Sequence, residues 1–167
     1  GPWEMLAHLP HLAADRGVHA PFGAMYRPLN NTYLDHWVRE QRATRNTRLF
    51  SRRDGFHKPV DFLRAGGMLG ILADQKMRQG EWVSFFGVEV GSTPIPGLFH
   101  RRSGAPILAL SIETVGVARW KLTVDLVDLS GLSEKPSRGA LSLVCNQALE
   151  QVLSRSPCDG FWLSRRF

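Results

Sequence analysis

Apolar residues recur at helical spacing in several segments of the chain. The longest runs from Leu141 to Val152, where apolar residues stand three or four positions apart. Another follows the Asn-Asn-Thr cluster at 30–32, whose composition is typical of a helix N-cap. A third is followed by Gly104, a residue suited to ending a helix. The spacing predicts helices at 3–12, 33–38, 55–63, 94–103 and 137–153.

Shorter apolar runs between these helices have the composition of strands. The run near the C-terminal third alternates with period two, which places Leu122, Val124 and Leu126 on one side of a half-buried strand. This strand is predicted to pair antiparallel with the strand before it. The runs predict strands at 18–26, 49–50, 68–73, 82–87, 106–115 and 119–129.

The stretch at 70–75 has the pattern of a strand that is buried on both faces. Its apolar residues continue to Ala73 and stop at Asp74 and Gln75. Ligands of open α/β sheets gather at the carboxyl ends of strands, so Asp74 occupies a position expected of a functional residue. A capping or loop aspartate is the ordinary alternative.

Helices that alternate with strands predict parallel pairing through right-handed crossovers. We therefore expect an α/β fold with a mostly parallel central sheet, flanked by helices and followed by one late antiparallel hairpin. The chain of 167 residues is long enough for a single domain over 1–167 with its own core.

Composition limits the classes of function. The net charge of +6 indicates an acidic partner such as an anionic membrane surface, a phosphorylated substrate, an acidic carrier protein or nucleic acid. Cys145 and Cys158 are too few for a disulfide framework or a zinc site, which fits a reducing compartment. We expect no metal and no cofactor. No apolar run is long enough to span a bilayer.

Several polar residues at predicted strand or loop ends are candidates for chemistry. Glu4, Arg27, Asp74 and the final Arg165-Arg166 supply two carboxylates and three guanidinium groups. Each has an ordinary explanation when it is taken alone, as a first-turn helix carboxylate, a surface arginine or a cap. Their order along the chain is more specific than any one of them.

Five motifs together resemble the bacterial lipid A biosynthesis acyltransferase family, of the lauroyl and myristoyl acyltransferase type. The motifs are Gly-x-Trp-Glu at 1–4, Tyr-Arg-Pro-Leu-Asn-Asn-x-Tyr-Leu-Asp at 26–35, Ala-Asp-Gln at 73–75, Phe-Phe-Gly at 85–87 and Trp-Leu-x-Arg-Arg-Phe at 162–167. The family is a branch of the lysophospholipid acyltransferase superfamily and includes phosphatidylinositol mannoside acyltransferases. The resemblance implies a glycerolipid-acyltransferase-like fold.

The activity implied by the resemblance is transfer of a fatty acyl group from an acyl thioester to a hydroxyl of a glycolipid. The donor would be acyl carrier protein or acyl-CoA. The favoured acceptor would be a lipid A precursor at the cytoplasmic face of the inner membrane. A phosphatidylinositol mannoside or another glycolipid is the alternative acceptor. A non-catalytic basic domain that binds anionic lipid or nucleic acid is the alternative class. Nucleic acid is disfavoured as a partner because the aromatic residues follow core-like patterns.

The family's catalytic signature is His-x4-Asp/Glu, and the resemblance assigns its acid to Glu4. None of the six histidines has a carboxylate five positions on, and the matching histidine would stand two residues before Gly1. Pro2 also stands where the signature usually has asparagine. We therefore expect a fragment without its N-terminal part, which would hold an anchor helix and the catalytic histidine, and we expect it to be inactive alone.

The resemblance also suggests roles for the other motif residues. Arg27 would face an acceptor phosphate, and Asp74 would order Arg27 or the acceptor. Phe85 and Phe86 would line the slot for the acyl chain, with core packing as the alternative. Arg165 would contact substrate, although Ser164 replaces the usual histidine of that motif and favours a mainly structural tail.

The arginines of 39–53 are the most basic segment of the chain. This segment has two possible roles, contact with anionic lipid or an acidic carrier protein, or simply a solvated basic face.

Overall fold

A computed structural model of the chain describes residues 5, 8–43, 47–51 and 55–159. The chain divides into two compact units. The first unit ends at Leu72, and the second begins at Ala73. We refer to them as the N-terminal and C-terminal units.

The N-terminal unit is built on a parallel three-stranded sheet with strand order β2-β1-β3. Gly23 of β1 stands opposite Arg48 of β2 on one side and Leu69 of β3 on the other. The elements are α1 (Leu9–Ala14), β1 (Phe22–Tyr26), α2 (Thr32–Arg42), β2 (Arg48–Ser51), α3 (His57–Arg64) and β3 (Met68–Gly70).

Two aromatic rings pack where β1 has no side chain. A Cβ on Gly23 would lie 2.7 Å from the Phe50 ring and 3.0 Å from the Phe62 ring, so only glycine leaves room for both. The two ring centroids are 5.2 Å apart in a tilted arrangement. This pair joins β2 and α3 over the middle of the sheet.

The prediction of a strand at 68–73 that is buried on both faces was wrong in length and in burial. The strand ends at Gly70, and β1 is its only partner among the described strands. Met68 and Leu72 are exposed. An unbroken apolar run predicts a strand but does not determine how many neighbours that strand has, and β3 has one.

Within residues 73–159, the C-terminal unit contains two antiparallel hairpins, two α-helices and a short 3-10 helix. Strands β4 and β5 form the first hairpin, and β6 and β7 form the second. The elements are β4 (Glu81–Phe85), β5 (Val88–Ser92), α4 (Ile95–Ser103), β6 (Leu108–Gly116), β7 (Arg119–Leu126), α5 (Arg138–Arg155) and a short 3-10 helix (Pro157–Asp159). The predicted α/β class with a late antiparallel hairpin is confirmed.

Helix α5 contacts both hairpins and α4. Leu141 is buried against α4, and Val152 is buried in a cluster with Ala109 and Val127 of the second hairpin. Buried residues therefore occur on several sides of α5, as expected of a helix that organises a core.

The side of β7 predicted to be half-buried is largely exposed. Leu126 keeps 69% of its surface accessible, and Val124 is also exposed. The opposite side is covered, because Asp125 forms an ion pair with Arg155 of α5 and its neighbour Ala109 is buried. The residues of β7 alternate between two sides as predicted, but α5 packs on the more polar of these two sides.

Candidate functional site

Arg27 directly follows the carboxyl end of β1. This is the edge of the parallel sheet at which ligands of α/β folds usually bind. Its side chain is exposed and makes no hydrogen bond or ion pair with the described residues of its own unit. The guanidinium group of Arg27 is therefore exposed to solvent.

The loop after Arg27 is held by hydrogen bonds to the start of α2. The Leu29 N–H donates to Asp35 Oδ1 at 2.8 Å. The Asn31 side chain accepts from the N–H groups of Tyr33 and Leu34 at 3.0 and 3.2 Å, which caps the helix. These contacts fix the backbone on the C-terminal side of Arg27, while β1 fixes it on the other side.

Asp74 lies in a bend and is half-buried, four residues beyond the end of β3. The expectation that it closes a strand is therefore wrong. Its loop is anchored further on, where the Met77 N–H donates to the Gly91 carbonyl of β5 at 2.8 Å. Its carboxylate makes no hydrogen bond or ion pair with the described residues of the C-terminal unit. Its predicted role toward Arg27 or the acceptor stays a prediction.

Phe85 and Phe86 have different environments although they are neighbours. Phe85 is fully buried at the end of β4, as the core-packing alternative expects. Phe86 is exposed in the hairpin turn with a positive φ of 49°, and its N–H donates to Glu150 Oε1 of α5 at 2.6 Å. The two rings pack edge to face with centroids 4.8 Å apart. Phe86 thus has the accessible surface that an acyl chain would need.

Glu4 and Arg165 lie outside the described residues, so their predicted roles stay predictions. Within the described ranges, no three His, Cys, Asp or Glu side chains are placed to hold a metal ion. None of the helices in these ranges is both long and apolar enough to cross a membrane.

Two open pockets lie away from the predicted site residues. One, of about 440 Å³, is lined by Pro21, Arg48 and the rings of Phe50 and Phe62, next to α3. The other, of about 160 Å³, lies between β7 and α5. Neither is lined by Arg27, Asp74 or Phe86.

Polar residues that fix the C-terminal unit were not singled out from the sequence. Asn146 is buried in α5 and donates through Nδ2 to the Ser84 carbonyl and the Ser92 hydroxyl, both at 2.9 Å. Glu150, one turn on, holds the Phe86 N–H. A signal was present, since Asn146 and Glu150 are polar residues at i and i+4 within an otherwise apolar pattern.

Cys145 and Asp159 are among the groups of this unit whose pKa values are shifted. Burial raises the pKa of the Cys145 thiol to about 11, which leaves it protonated at neutral pH. The pKa of Asp159 is lowered by hydrogen bonds, first from the Ser156 hydroxyl and then from the Thr114 N–H. The Asp159 carboxylate therefore joins the short C-terminal 3-10 helix to β6 as an anion.

Comparison with protein families decides how these positions are interpreted. The family model for bacterial lipid A biosynthesis acyltransferase matches residues 9–167. The chain belongs to the bacterial lipid A biosynthesis acyltransferase family. Among curated proteins none matches the chain. The resemblance inferred from the motifs is thereby confirmed, and the class of the protein is that of an acyltransferase acting on lipid A-type substrates.

The matched region of the acyltransferase includes most of the predicted site residues. Arg27, Asp74, Phe85, Phe86 and Arg165 all fall within 9–167, whereas Glu4 precedes this range. Membership of the family thus gives the class of reaction, but it does not assign roles to individual side chains.

Proposed function

We propose that this acyltransferase moves a fatty acyl group from an acyl thioester to a hydroxyl of a lipid A precursor. The match to the family over residues 9–167 is the observation that supports this most strongly. The donor is acyl carrier protein or acyl-CoA. The reaction takes place at the cytoplasmic face of the inner membrane, where an amphiphilic acceptor is held.

The chemistry requires a base, because an alcohol is a weak nucleophile at neutral pH. In the proposed mechanism a neutral histidine removes the hydroxyl proton as the oxygen attacks the thioester carbonyl, and general-base help of this kind is worth about 100- to 10,000-fold. The tetrahedral intermediate then collapses, the carbon–sulfur bond breaks, and the imidazolium returns its proton to the departing thiolate. The products are an ester and a free thiol.

Glu4 is the proposed partner of this histidine in a His-x4-Asp/Glu pair. A carboxylate that accepts from the second ring nitrogen fixes the tautomer and stabilises the imidazolium. No histidine of 1–167 has the required spacing to a carboxylate, so the proposed base is not one of the six histidines of this sequence. The proposal therefore expects the chain of 167 residues to be inactive alone.

Arg27 is proposed to bind a phosphate of the acceptor. A planar guanidinium binds phosphate through two parallel hydrogen bonds, which fixes the position of the acceptor as well as attracting it. The exposure of Arg27 after β1 and its anchored loop support this role. Asp74 is proposed to order either this arginine or the acceptor.

The acyl chain needs an apolar wall, for which Phe86 is the better candidate of the aromatic pair. Each methylene removed from water contributes about 0.8 kcal/mol, so a long chain gains much from an accessible ring. Phe85, buried behind it in edge-to-face contact, would hold the Phe86 ring in place.

Glu4→Ala and Arg27→Ala in the full-length protein test these roles. Both are expected to lose at least about 100-fold in acyl transfer to purified lipid A precursor, because one loses the partner of the base and the other the acceptor contact. Arg101→Ala, at an exposed arginine of α4, is the matched control and should retain full turnover.

The readout is ester formation together with thiol release, compared for the two thioester donors. Near-wild-type turnover in either variant, with the fold intact by circular dichroism, would refute the role assigned to that residue. Thiol release and ester formation by residues 1–167 alone would show that an upstream histidine is not the base. Faster transfer to another glycolipid than to lipid A precursor would show that the other glycolipid is the preferred acceptor.

A further inference from the structure

The turn between β4 and β5 consists of two residues, Phe86 and Gly87. Phe85 of β4 pairs with Val88 of β5, so the strand pairing continues up to the turn itself. Both turn residues have a positive φ, 49° at Phe86 and 78° at Gly87. Two positive φ angles are typical of a type I′ hairpin turn, in which asparagine or aspartate followed by glycine is preferred. Phenylalanine is therefore an unusual residue for the first of these two positions.

The positive φ of Phe86 is a strained conformation, because a bulky side chain is disfavoured in this region of backbone space. Strained residues persist where the surrounding contacts hold them, and they are concentrated at functional sites. Asparagine would fit this turn with less strain. What phenylalanine adds is an aromatic ring that keeps 42% of its surface accessible. The strain thus indicates that the ring has a function at this position.

The second hairpin provides a comparison for this turn. Ala118, between β6 and β7, also has a positive φ, of 52°. Its side chain is a single methyl group, whereas Phe86 carries a large accessible ring and its N–H is bonded to a helix. A positive φ alone therefore does not identify a site, and the argument for Phe86 depends on the ring and on the contact that holds it.

Glu150 of α5 holds the strained turn. Its Oε1 accepts from the Phe86 N–H at 2.6 Å, across 64 positions of sequence. A hydrogen bond to a carboxylate is stronger than one between neutral groups. One helical turn earlier, Asn146 donates to the Ser84 carbonyl, which fixes α5 along the same strand that leads into the turn. The turn is thus tied to α5 at the residue whose backbone is strained.

The ring of Phe86 is supported from inside the unit as well. Phe85 is 1% exposed, and the two rings pack edge to face with their centroids 4.8 Å apart. Glu150 therefore holds the backbone of Phe86 and Phe85 supports its ring. An acyl chain that is too short or too long for a fixed ring loses contact with it, whereas a mobile ring adapts to both. A fixed Phe86 ring can therefore discriminate between acyl chains.

We propose that Glu150 is a positioning residue that sets the acyl-chain selectivity of the enzyme through Phe86. The inference rests on the proposed function, in which Phe86 contacts the acyl chain, and it adds the residue that fixes this contact. Glu150 acts on the turn and not on the reacting atoms. Each methylene removed from water is worth about fourfold in binding, so donors that differ by two methylenes are discriminated by up to about 15-fold.

The donor selectivity of the full-length protein tests this proposal. kcat/KM is measured for acyl thioesters that differ by two methylenes, with lipid A precursor as the acceptor. Glu150→Ala should reduce the ratio between the best donor and the next at least about threefold, chiefly through KM, because the ring is no longer held. Glu150→Gln retains an acceptor oxygen and should keep most of the wild-type ratio. The matched controls, which should leave the ratio unchanged, are Gln151→Ala at an exposed position of α5 and Ala118→Gly in the other turn.

A double-mutant cycle separates positioning from a general effect on the fold. Phe86→Asn suits a positive φ, so the turn should form, and the loss of the ring should reduce the selectivity as Glu150→Ala does. In the Phe86→Asn background, Glu150→Ala should then have no further effect on the ratio. Additive losses would overturn the proposal. If Glu150→Ala folds poorly, Phe86→Asn still decides, because an unchanged ratio in that variant would show that the ring does not select the chain.

Hydrogen exchange at the Phe86 N–H measures the contact without requiring catalysis. Exchange should be faster in Glu150→Ala than in the wild-type protein and unchanged in Gln151→Ala. Equal exchange in Glu150→Ala and the wild type would overturn the proposal, because Glu150 would then not hold the turn. Wild-type transfer with a donor ratio that Glu150→Ala does not change would refute this inference alone. A wild-type protein that transfers no acyl group to any glycolipid would refute the proposed function, and this inference with it.

Discussion

The two units of the chain differ in how they bury their apolar residues. In the C-terminal unit, Phe85, Val90 and Leu141 are almost completely buried around α5. In the N-terminal unit, the described buried apolar side chains come mainly from α3, namely Val60 and Phe62 with Pro59, and α2 has none. Both units leave large apolar side chains exposed, among them Leu126 and Tyr33, but most of the described buried apolar side chains belong to the C-terminal unit.

This difference indicates a division of labour between the units. Buried residues contribute to stability, and exposed aromatic or cationic residues on fixed elements are those that contact partners. The C-terminal unit contains most of the described core and presents Phe86 at its surface, while the N-terminal unit presents Arg27 and the exposed side chains of α2. The predictions below test whether stability and surface function separate in this way.

The largest expected effect comes from truncating a core residue of α5. Leu141→Ala should lower the free energy of unfolding by about 2 to 5 kcal/mol, because a fully buried leucine leaves a cavity against α4. Leu34→Ala on α2 is the matched control and should change it by less than about 0.5 kcal/mol. Urea unfolding followed by circular dichroism measures both. Similar losses in the two variants would contradict the comparison.

A smaller effect is expected from the buried amide of the same helix. Asn146→Ala removes the donor to the Ser84 carbonyl and the Ser92 hydroxyl, and a buried group left without its partner costs about 1 to 3 kcal/mol. Gln147→Ala, at the exposed neighbouring position, should be close to neutral. Thermal denaturation compares the two variants, and an unchanged midpoint for Asn146→Ala would show that the contacts to the first hairpin do not stabilise it.

The N-terminal cap of α2 should stabilise this helix and have no effect on α5. Asn31→Ala removes the acceptor for two N–H groups of α2 and should cost about 1 kcal/mol. Hydrogen exchange should accelerate at Tyr33 and Leu34 and not in α5. Asn30→Ala is the control at the neighbouring position. Equal acceleration in both helices would show that the two units do not unfold separately.

The smallest effect is a dependence of stability on pH. Hydrogen bonds from Ser156 and Thr114 lower the folded-state pKa of Asp159, so this carboxylate stabilises the fold above its unfolded pKa of about 3.9. That contribution is lost as the pH falls through the lower folded value. Asp159→Asn should therefore reduce the melting temperature at pH 7, and the difference from wild type should shrink on acidification. A difference that grows toward low pH would contradict the assignment, and Glu134→Gln is the exposed control.

Local structure was largely predictable from local chemistry. The cap cluster at 30–32 predicted the start of α2, and Asn31 is the cap. Gly104 was predicted to end α4, and it does so with a φ of 75° that favours glycine. Both features depend only on residues that are close together in the sequence, so they can be predicted from the sequence.

Features that depend on which element packs where could not be predicted. Alternation along β7 separates Val124 from Asp125, but only the packing of α5 determines that the Asp125 side is covered. The apolar run at 68–73 likewise did not reveal that β3 has a single described partner and ends before Asp74. For the site, Arg27 stands at the predicted strand end, while the roles of Asp74, Glu4 and Arg165 depend on contacts that a motif does not specify.

The central claim is that Arg27 of this lipid A biosynthesis acyltransferase serves acyl transfer and not the stability of the fold. Mass spectrometry of lipid A precursor, incubated with an acyl thioester and the full-length protein, tests it most directly. The account predicts one added acyl ester with the wild-type protein and almost none with Arg27→Ala at an unchanged melting temperature. Wild-type acylation by Arg27→Ala would contradict it.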